Sequence, residues 1–266
     1  MDITQDLSVF NRNVAERLDK MGKVILVGSG KGGVGKSFIA SGLACSLSTA
    51  GYRTGIIDLD IHGASLPNYL GVGPPLRSGR DGLEPRRAGR TKVMSVSLLT
   101  GDHAVPVLGQ KKRELIWQLF SITNWGELDY LVVDLPPGTG DEVLSSFDLF
   151  SKKCSLLLVT TPSPNALRIV SRLANLARIE RVQILGIVVN MAYSKIGRRV
   201  TFPFGRTSPK SMEKELGSKI IARYPLDPRV GSQSIRETIE KRGEIATQFK
   251  ELTEKVSQLS SFDASA

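Results

Sequence analysis

Gly30-Lys31-Gly32-Gly33-Val34-Gly35-Lys36-Ser37 decides the fold. The stretch fits G-x-x-x-x-G-K-[ST] and places a second lysine directly after the first glycine. An apolar run, Val24-Ile25-Leu26-Val27, leads into it, and an apolar-periodic stretch from Phe38 through Leu47 follows. Strand, glycine loop and helix in that order make a P-loop, so the chain is read as a binder of nucleoside triphosphate. The glycines let successive backbone N–H groups converge on phosphate oxygens without Cβ clashes. The helix behind them adds unpaired N–H groups and the positive end of its dipole. Lys36 is expected to bridge the β- and γ-phosphates, and the Ser37 hydroxyl to ligate Mg²⁺.

Outward from the loop, further apolar runs stand at Gly55-Ile56-Ile57, Val93-Met94-Ser95-Val96, Tyr130-Leu131-Val132-Val133, Leu156-Leu157-Leu158-Val159, and across 184–189 and 219–224. Helix-like stretches lie between them, at 111–120, 141–150, 166–178, 209–216 and 245–259. Continuous apolar strands alternating with amphipathic helices predict an α/β, single-domain P-loop NTPase with a mostly parallel sheet and helices on both faces. Leu7, Phe10, Val14 and Leu18 read as one face of a short helix. Residues 1–20 are therefore expected to form an N-terminal helical arm and residues 21–266 the P-loop ATPase domain. Two segments rich in Gly, Pro and Arg, near 71–92 and 191–208, read as long loops.

Composition narrows the setting. At 266 residues and 41% hydrophobic, the chain is long enough for one large core, and no stretch is both long and apolar enough to span a membrane. The first twenty residues include Asp2, Asp6, Glu16 and Asp19 and lack an apolar centre, so a secretory signal is not expected. The two cysteines, Cys45 and Cys154, read as core residues and suit a reducing cytoplasm. The net charge of +10 concentrates in Arg77, Arg80, Arg86, Arg87, Arg90 and Lys92, in Lys111-Lys112-Arg113 and at Arg198-Arg199. These clusters read first as solvated surface, with weak, sequence-independent nucleic-acid binding left open.

Two acidic motifs close apolar runs. Ile56-Ile57-Asp58-Leu59-Asp60 ends one strand and Leu131-Val132-Val133-Asp134 another. Carboxylates at strand C-termini face the crevice where such sheets bind ligands. Asp134 reads as a Walker B carboxylate and Asp58 as a second holder of Mg²⁺. Asp60 is better placed to orient the attacking water. Gly138, Thr139 and Gly140 form a turn suited to sensing the γ-phosphate.

With these residues in hand, the chain resembles the Mrp/ApbC family of P-loop ATPases, within the MinD/ParA group of deviant Walker A proteins. The resemblance rests on the P-loop with its extra lysine, on residues 58–67, on 125–141, and on Val189-Asn190-Met191 and Tyr224-Pro225-Leu226-Asp227-Pro228. It implies ATP binding and hydrolysis by a nucleotide-switched homodimer acting in iron–sulfur cluster assembly or transfer. It also implies that Lys31 reaches the phosphates held by the partner subunit, and that Asn190 and the loop from Pro225 to Asp227 contact the adenine. For Asn190 taken alone, a turn role reads equally well. The chain departs from the family in one large respect. The C-x-x-C motif that follows the Asn-Met segment in cluster carriers is absent, and Met191 through Arg199 contains no cysteine. Smaller departures are Ala64 and Leu108-Gly109-Gln110. His62 and His103 are isolated and make a weak metal site. The alternative function is a MinD/ParA-like positioning ATPase with a basic surface for DNA or a partner. A membrane cycle does not fit, because residues 260–266 lack basic and bulky apolar side chains together. Lys195, Arg198 and Arg199 suit an acidic protein partner or iron–sulfur client.

Overall fold

The computed structural model describes residues 12–60, 63, 65–100, 110–151, 153–231, 234–241 and 243–261. Its strands are β1 (Met21–Ser29), β2 (Thr54–Asp58), β3 (Arg77–Gly79), β4 (Gly82–Glu84), β5 (Arg86–Ala88) and β6 (Thr91–Ser95), followed by β7 (Leu128–Asp134), β8 (Cys154–Thr160), β9 (Gln183–Ile196), β10 (Arg199–Thr201) and β11 (Ile220–Pro225). The main sheet runs β10-β9-β8-β1-β7-β2-β6-β5, with β11 also paired to β9. Its pairs are parallel except at the antiparallel β5 and β10. The P-loop strand β1 lies between β7 and β8, so the residues that follow it emerge at the middle of the sheet.

Alternation along each buried strand divides the core into two layers. Val24, Leu26, Leu131, Val133, Leu156 and Leu158 face one way. Ile25, Val27, Tyr130, Val132, Leu157 and Val159 face the other. Side chains on a strand point to opposite faces with period two, so a run without polar interruption needs cover on both sides. Helices Gln110–Ile122, Asp141–Phe150, Pro164–Ile179 and Pro209–Leu216 cover the first face through residues such as Phe120, Phe147, Val170 and Leu216. Helices Lys36–Thr49, Leu66–Leu70, Ile235–Glu240 and Glu244–Ser261 cover the second. This is the expected parallel α/β architecture with helices on both faces.

Residues 12–19 are helical. Val14 is buried in the first core layer and Leu18 packs against it. Leu7 and Phe10 lie outside the described residues, as do His62, Ala64, His103, Leu108 and Gly109.

The two segments expected as long loops are instead partly paired. Arg77–Gly79 pairs with Gly82–Glu84, and Arg86–Ala88 with Thr91–Val93. In the second segment Ser194–Ile196 pairs with Arg199–Thr201 around Gly197-Arg198. Gly89 and Gly197 both take a φ of +60°, a left-handed conformation that suits such two-residue turns. The newly paired strands β3 and β10 sit at edges and carry charged, exposed residues, so no apolar run marks them.

Candidate nucleotide site

The parallel strands deliver the acidic residues to one point. Asp58 and Asp134 are direct partners in the β2–β7 ladder, and Asp134 also aligns with Val27 of β1. The chain leaving β1 then folds over them. Gly33 and Gly35 adopt φ of +78° and +81°, where a Cβ is strained. A Cβ on Gly30 would overlap the backbone of Val170, so helix Pro164–Ile179 presses directly on the loop. The helix Lys36–Thr49 starts at Gly35, whose carbonyl accepts the Ile39 N–H at 3.1 Å. No side chain caps it and its first turn has no acidic residue, so its orphan N–H groups are open to an anion.

The electrostatic centre is a buried ion pair. Lys36 Nζ donates to Asp134 Oδ1 at 2.6 Å, with the two side chains 7% and 0% exposed. The other carboxylate oxygen, Oδ2, is buried with no hydrogen-bond partner among the described residues. Burial raises the Asp134 pKa against the opposing pull of Lys36 and the nearby Ser37 hydroxyl. Asp58 accepts the Asp60 N–H at 3.0 Å on Oδ1, and the Leu66 N–H at 3.4 Å and the Ser95 hydroxyl at 3.5 Å on Oδ2. Burial and the adjacent Asp134 push the Asp58 pKa to about 8, against a pull from Lys36. Two desolvated carboxylates share one lysine here, and an oxygen on one of them is orphaned. That donor set fits a hydrated divalent cation, whose charge would let both carboxylates ionise.

The other expected residues fall around this centre. Asp60 is half-buried, and its Oδ1 accepts the Gly63 N–H at 3.2 Å. Gly138, with φ of +94°, donates its N–H to the Ser29 carbonyl at 2.9 Å, tying the turn after β7 to the entry of the P-loop. Lys31 is exposed on the loop. Asn190 is buried and donates from Nδ2 to the Val34 carbonyl at 2.9 Å, holding the P-loop against β9. A Cβ on Gly35 would collide with that same amide. Met191, the next residue, takes a left-handed φ of +53° where β9 leaves regular pairing with β11.

Pro225 and Asp227 line a cavity of about 440 Å³ together with Lys195, Leu226 and Glu244. Lys195 Nζ lies 2.6 Å from Glu244 Oε1, which also accepts the Tyr193 hydroxyl at 3.2 Å. Sequence reading singled out neither Glu244 nor Ser95. Ser95 carried a faint signal as the polar residue within the run Val93-Met94-Ser95-Val96. Glu244 carried none, because its position at the cavity depends on where the last helix docks.

The thiols lie apart from this site and from each other. Cys45 belongs to one core layer and Cys154 to the other, so the sheet separates them. Both are buried, and burial pushes each thiol up to about 12. Among the described residues no group of three or more His, Cys, Asp and Glu side chains is placed to hold a metal ion.

A sequence profile for ParA, described as the NUBPL iron-transfer P-loop NTPase, matches residues 20–257. An iron–sulfur cluster carrier protein of Saccharolobus solfataricus is 37% identical over 86% of this chain and 79% of its own length. A cytosolic Fe–S cluster assembly factor, the NUBP2 homolog of Monosiga brevicollis, is 36% identical over 85% of this chain and 83% of its own. The solved nucleotide-binding protein of Archaeoglobus fulgidus in complex with ADP superposes with a TM-score of 0.75 at 31% identity, over 90% of this chain and 96% of that one.

Proposed function

The chain belongs to the ParA family of NUBPL-type iron-transfer P-loop NTPases, and from that premise we propose that it is a Mg²⁺-dependent ATPase that serves iron–sulfur cluster transfer as a nucleotide-switched homodimer. The observation that carries this reading is the buried Lys36–Asp134 pair, with its orphaned carboxylate oxygen, at the mouth of the P-loop. A buried ion pair is weak support for stability, so its presence points to chemistry.

In this reading Gly30, Lys31, Gly32, Gly33, Val34, Gly35, Lys36 and Ser37 wrap the phosphates. Lys36 exchanges Asp134 for the β- and γ-phosphate oxygens as ATP enters. Ser37, Asp134 and Asp58 would hold Mg²⁺, which would supply positive charge to the triphosphate. Asp60 orients a water whose oxygen bonds to the γ-phosphorus as the bond to the β–γ bridging oxygen breaks. The water's proton passes to solvent, leaving ADP and phosphate. Gly138, bonded to Ser29, carries the state of the γ-phosphate into helix Asp141–Phe150. Lys31 completes the phosphate contacts of the partner subunit, and Asn190, Pro225 and Asp227 set the base pocket.

The iron–sulfur cluster is cargo, and its thiolates come from a client or second protein, because neither Cys45 nor Cys154 is accessible to hold it. A reducing cytoplasm suits the two free thiols, and the Monosiga relative is named as cytosolic. A positioning role on DNA is the second reading, and the exposed basic hairpins favour it. ATP-dependent DNA binding at physiological salt would put that reading first.

The homodimer is tested with Lys31→Ala. Light scattering with Mg-ATP is expected to show a dimer for the unaltered chain. The variant is expected to keep ATP affinity in calorimetry while hydrolysis falls. Full hydrolysis by the variant as a monomer sinks the shared-site mechanism.

A further inference from the structure

A second concave surface lies on the far side of β9. It has a volume of about 160 Å³ and is floored by Val189, Ala192, Met212 and Ile220, with Arg206 and Arg223 at its margin. Among the described residues no carboxylate lines it. Its wall is the segment after β10, held in shape by three contacts. The Thr207 hydroxyl donates to the Pro162 carbonyl, Gly205 N–H to Phe202 O at 3.1 Å, and Met212 N–H to Ser208 O at 3.0 Å. The Arg206 guanidinium lies over the Phe202 ring at 4.1 Å from its centroid.

Around this hollow the surface is cationic and partly apolar. From Lys195 to Lys210 the chain carries Lys195, Arg198, Arg199, Arg206 and Lys210 and no acidic residue. Lys195 is paired with Glu244, and Arg198, Arg199, Arg206, Lys210 and Arg223 are all exposed. Val200 and Phe204 remain 47% and 39% exposed beside them.

We propose that this face, the β9–β10 hairpin with the segment to Lys210, docks an acidic segment of a partner protein and seats one apolar side chain of it in the hollow. Charge complementarity selects the acid, since the cations have no carboxylates interleaved in sequence to neutralise them. Size selects the anchor. An apolar cavity of about 150 Å³ accommodates a benzene ring, so one Phe or Leu side chain fills this one. A nucleic acid fits less well. Single-strand binding relies on successive aromatic faces for the bases, and Arg206 already covers Phe202.

The test uses fluorescence anisotropy at physiological salt with three labelled probes: a short Asp- and Glu-rich peptide with one central Phe, the same peptide with Ala there, and a single-stranded oligothymidylate. The Phe peptide is expected to bind about tenfold or more tighter than the Ala peptide, the gain of burying one aromatic side chain. Arg198→Glu with Arg199→Glu is expected to weaken the Phe peptide about tenfold or more while Mg-ATP affinity stays unchanged, which shows the variant is folded. Equal affinity for the Phe and Ala peptides overturns the anchoring hollow. Indifference to the double charge reversal, or no binding of either peptide, overturns the docking face. Tighter binding of the oligothymidylate, lost in the same variant, assigns the face to nucleic acid instead.

Discussion

The phosphate loop and the β9–β10 hairpin both extend from strands of one sheet and both are rich in positive charge, yet they handle that charge in opposite ways. Lys36 is buried against Asp134, with Asp58 beside it. Arg198 and Arg199 stand in solvent. Removing a charge from water is costly unless a partner compensates, so the buried Lys36 is placed against a specific neighbour. A solvated arginine carries no such constraint, and what it meets is set by whatever approaches. The first region therefore reads as chemistry and the second as recognition.

The sharpest way to break this contrast is Lys36→Ala. It is expected to abolish Mg-ATP binding in calorimetry, because the backbone cradle remains while the charge on the β- and γ-phosphates is gone. It also leaves Asp134 unpaired, so the urea midpoint should fall, whereas reversing Arg198 and Arg199 should leave that midpoint in place. Unchanged ATP affinity in Lys36→Ala removes the functional distinction between the two regions.

Asp60→Asn comes next in size. Phosphate release is expected to slow by on the order of a hundredfold or more, the usual scale for a group that handles the attacking water. ATP is expected to stay bound and the proposed dimer to persist in light scattering. A strictly monomeric variant with normal turnover counts against the role.

A smaller effect comes from pH. A free aspartate titrates near about 4, and Asp58 in the fold near about 8. Between those values the nucleotide-free fold retains a proton that the unfolded chain has released, so protons favour the fold and the contribution of this site declines as pH rises through that window. Urea midpoints without nucleotide should therefore be higher at pH 5.5 than at pH 8, and Asp58→Asn should flatten the difference. A slope of opposite sign in the unaltered chain, or no change in slope in the variant, shows that the two carboxylates are not desolvated together.

The smallest expected signal is none at all. Anaerobic reconstitution with iron and sulfide should leave the isolated protein without a stable, stoichiometric cluster, since the hairpin offers hydroxyl, aromatic and cationic groups and the thiols lie on opposite faces of the sheet. Iron and sulfide analysis with a visible spectrum checks this. A cluster that survives Cys45→Ser with Cys154→Ser reveals ligands outside the thiol inventory, and the hairpin becomes a metal site.

How far the chain could be read depended on how local each feature was. Helices at 141–150 and 209–216 have the expected bounds because amphipathic spacing and flanking Gly or Pro mark them within a few residues. The short edge strands at 77–79, 82–84, 86–88 and 199–201 lay inside segments read as loops because edge strands carry charge where buried strands carry valine. Asn190 stood beside a recognisable motif, yet its bond to the Val34 carbonyl joins segments far apart in the chain, and no periodicity reports such a contact.

By itself the sequence determined the P-loop, the acidic strand ends, the two-faced parallel sheet and the absence of cysteines from the segment after Asn190. These are properties of neighbouring residues, written in spacing and side-chain type. Only the tertiary structure decided that Asp58 and Asp134 face each other in register, that Lys36 spans to one of them, that Glu244 reaches the cavity beside Pro225 and that Cys45 and Cys154 are divided by the sheet. Those facts follow from how strands pair and which face each side chain takes, and pairing is a relation between distant segments that no single stretch contains.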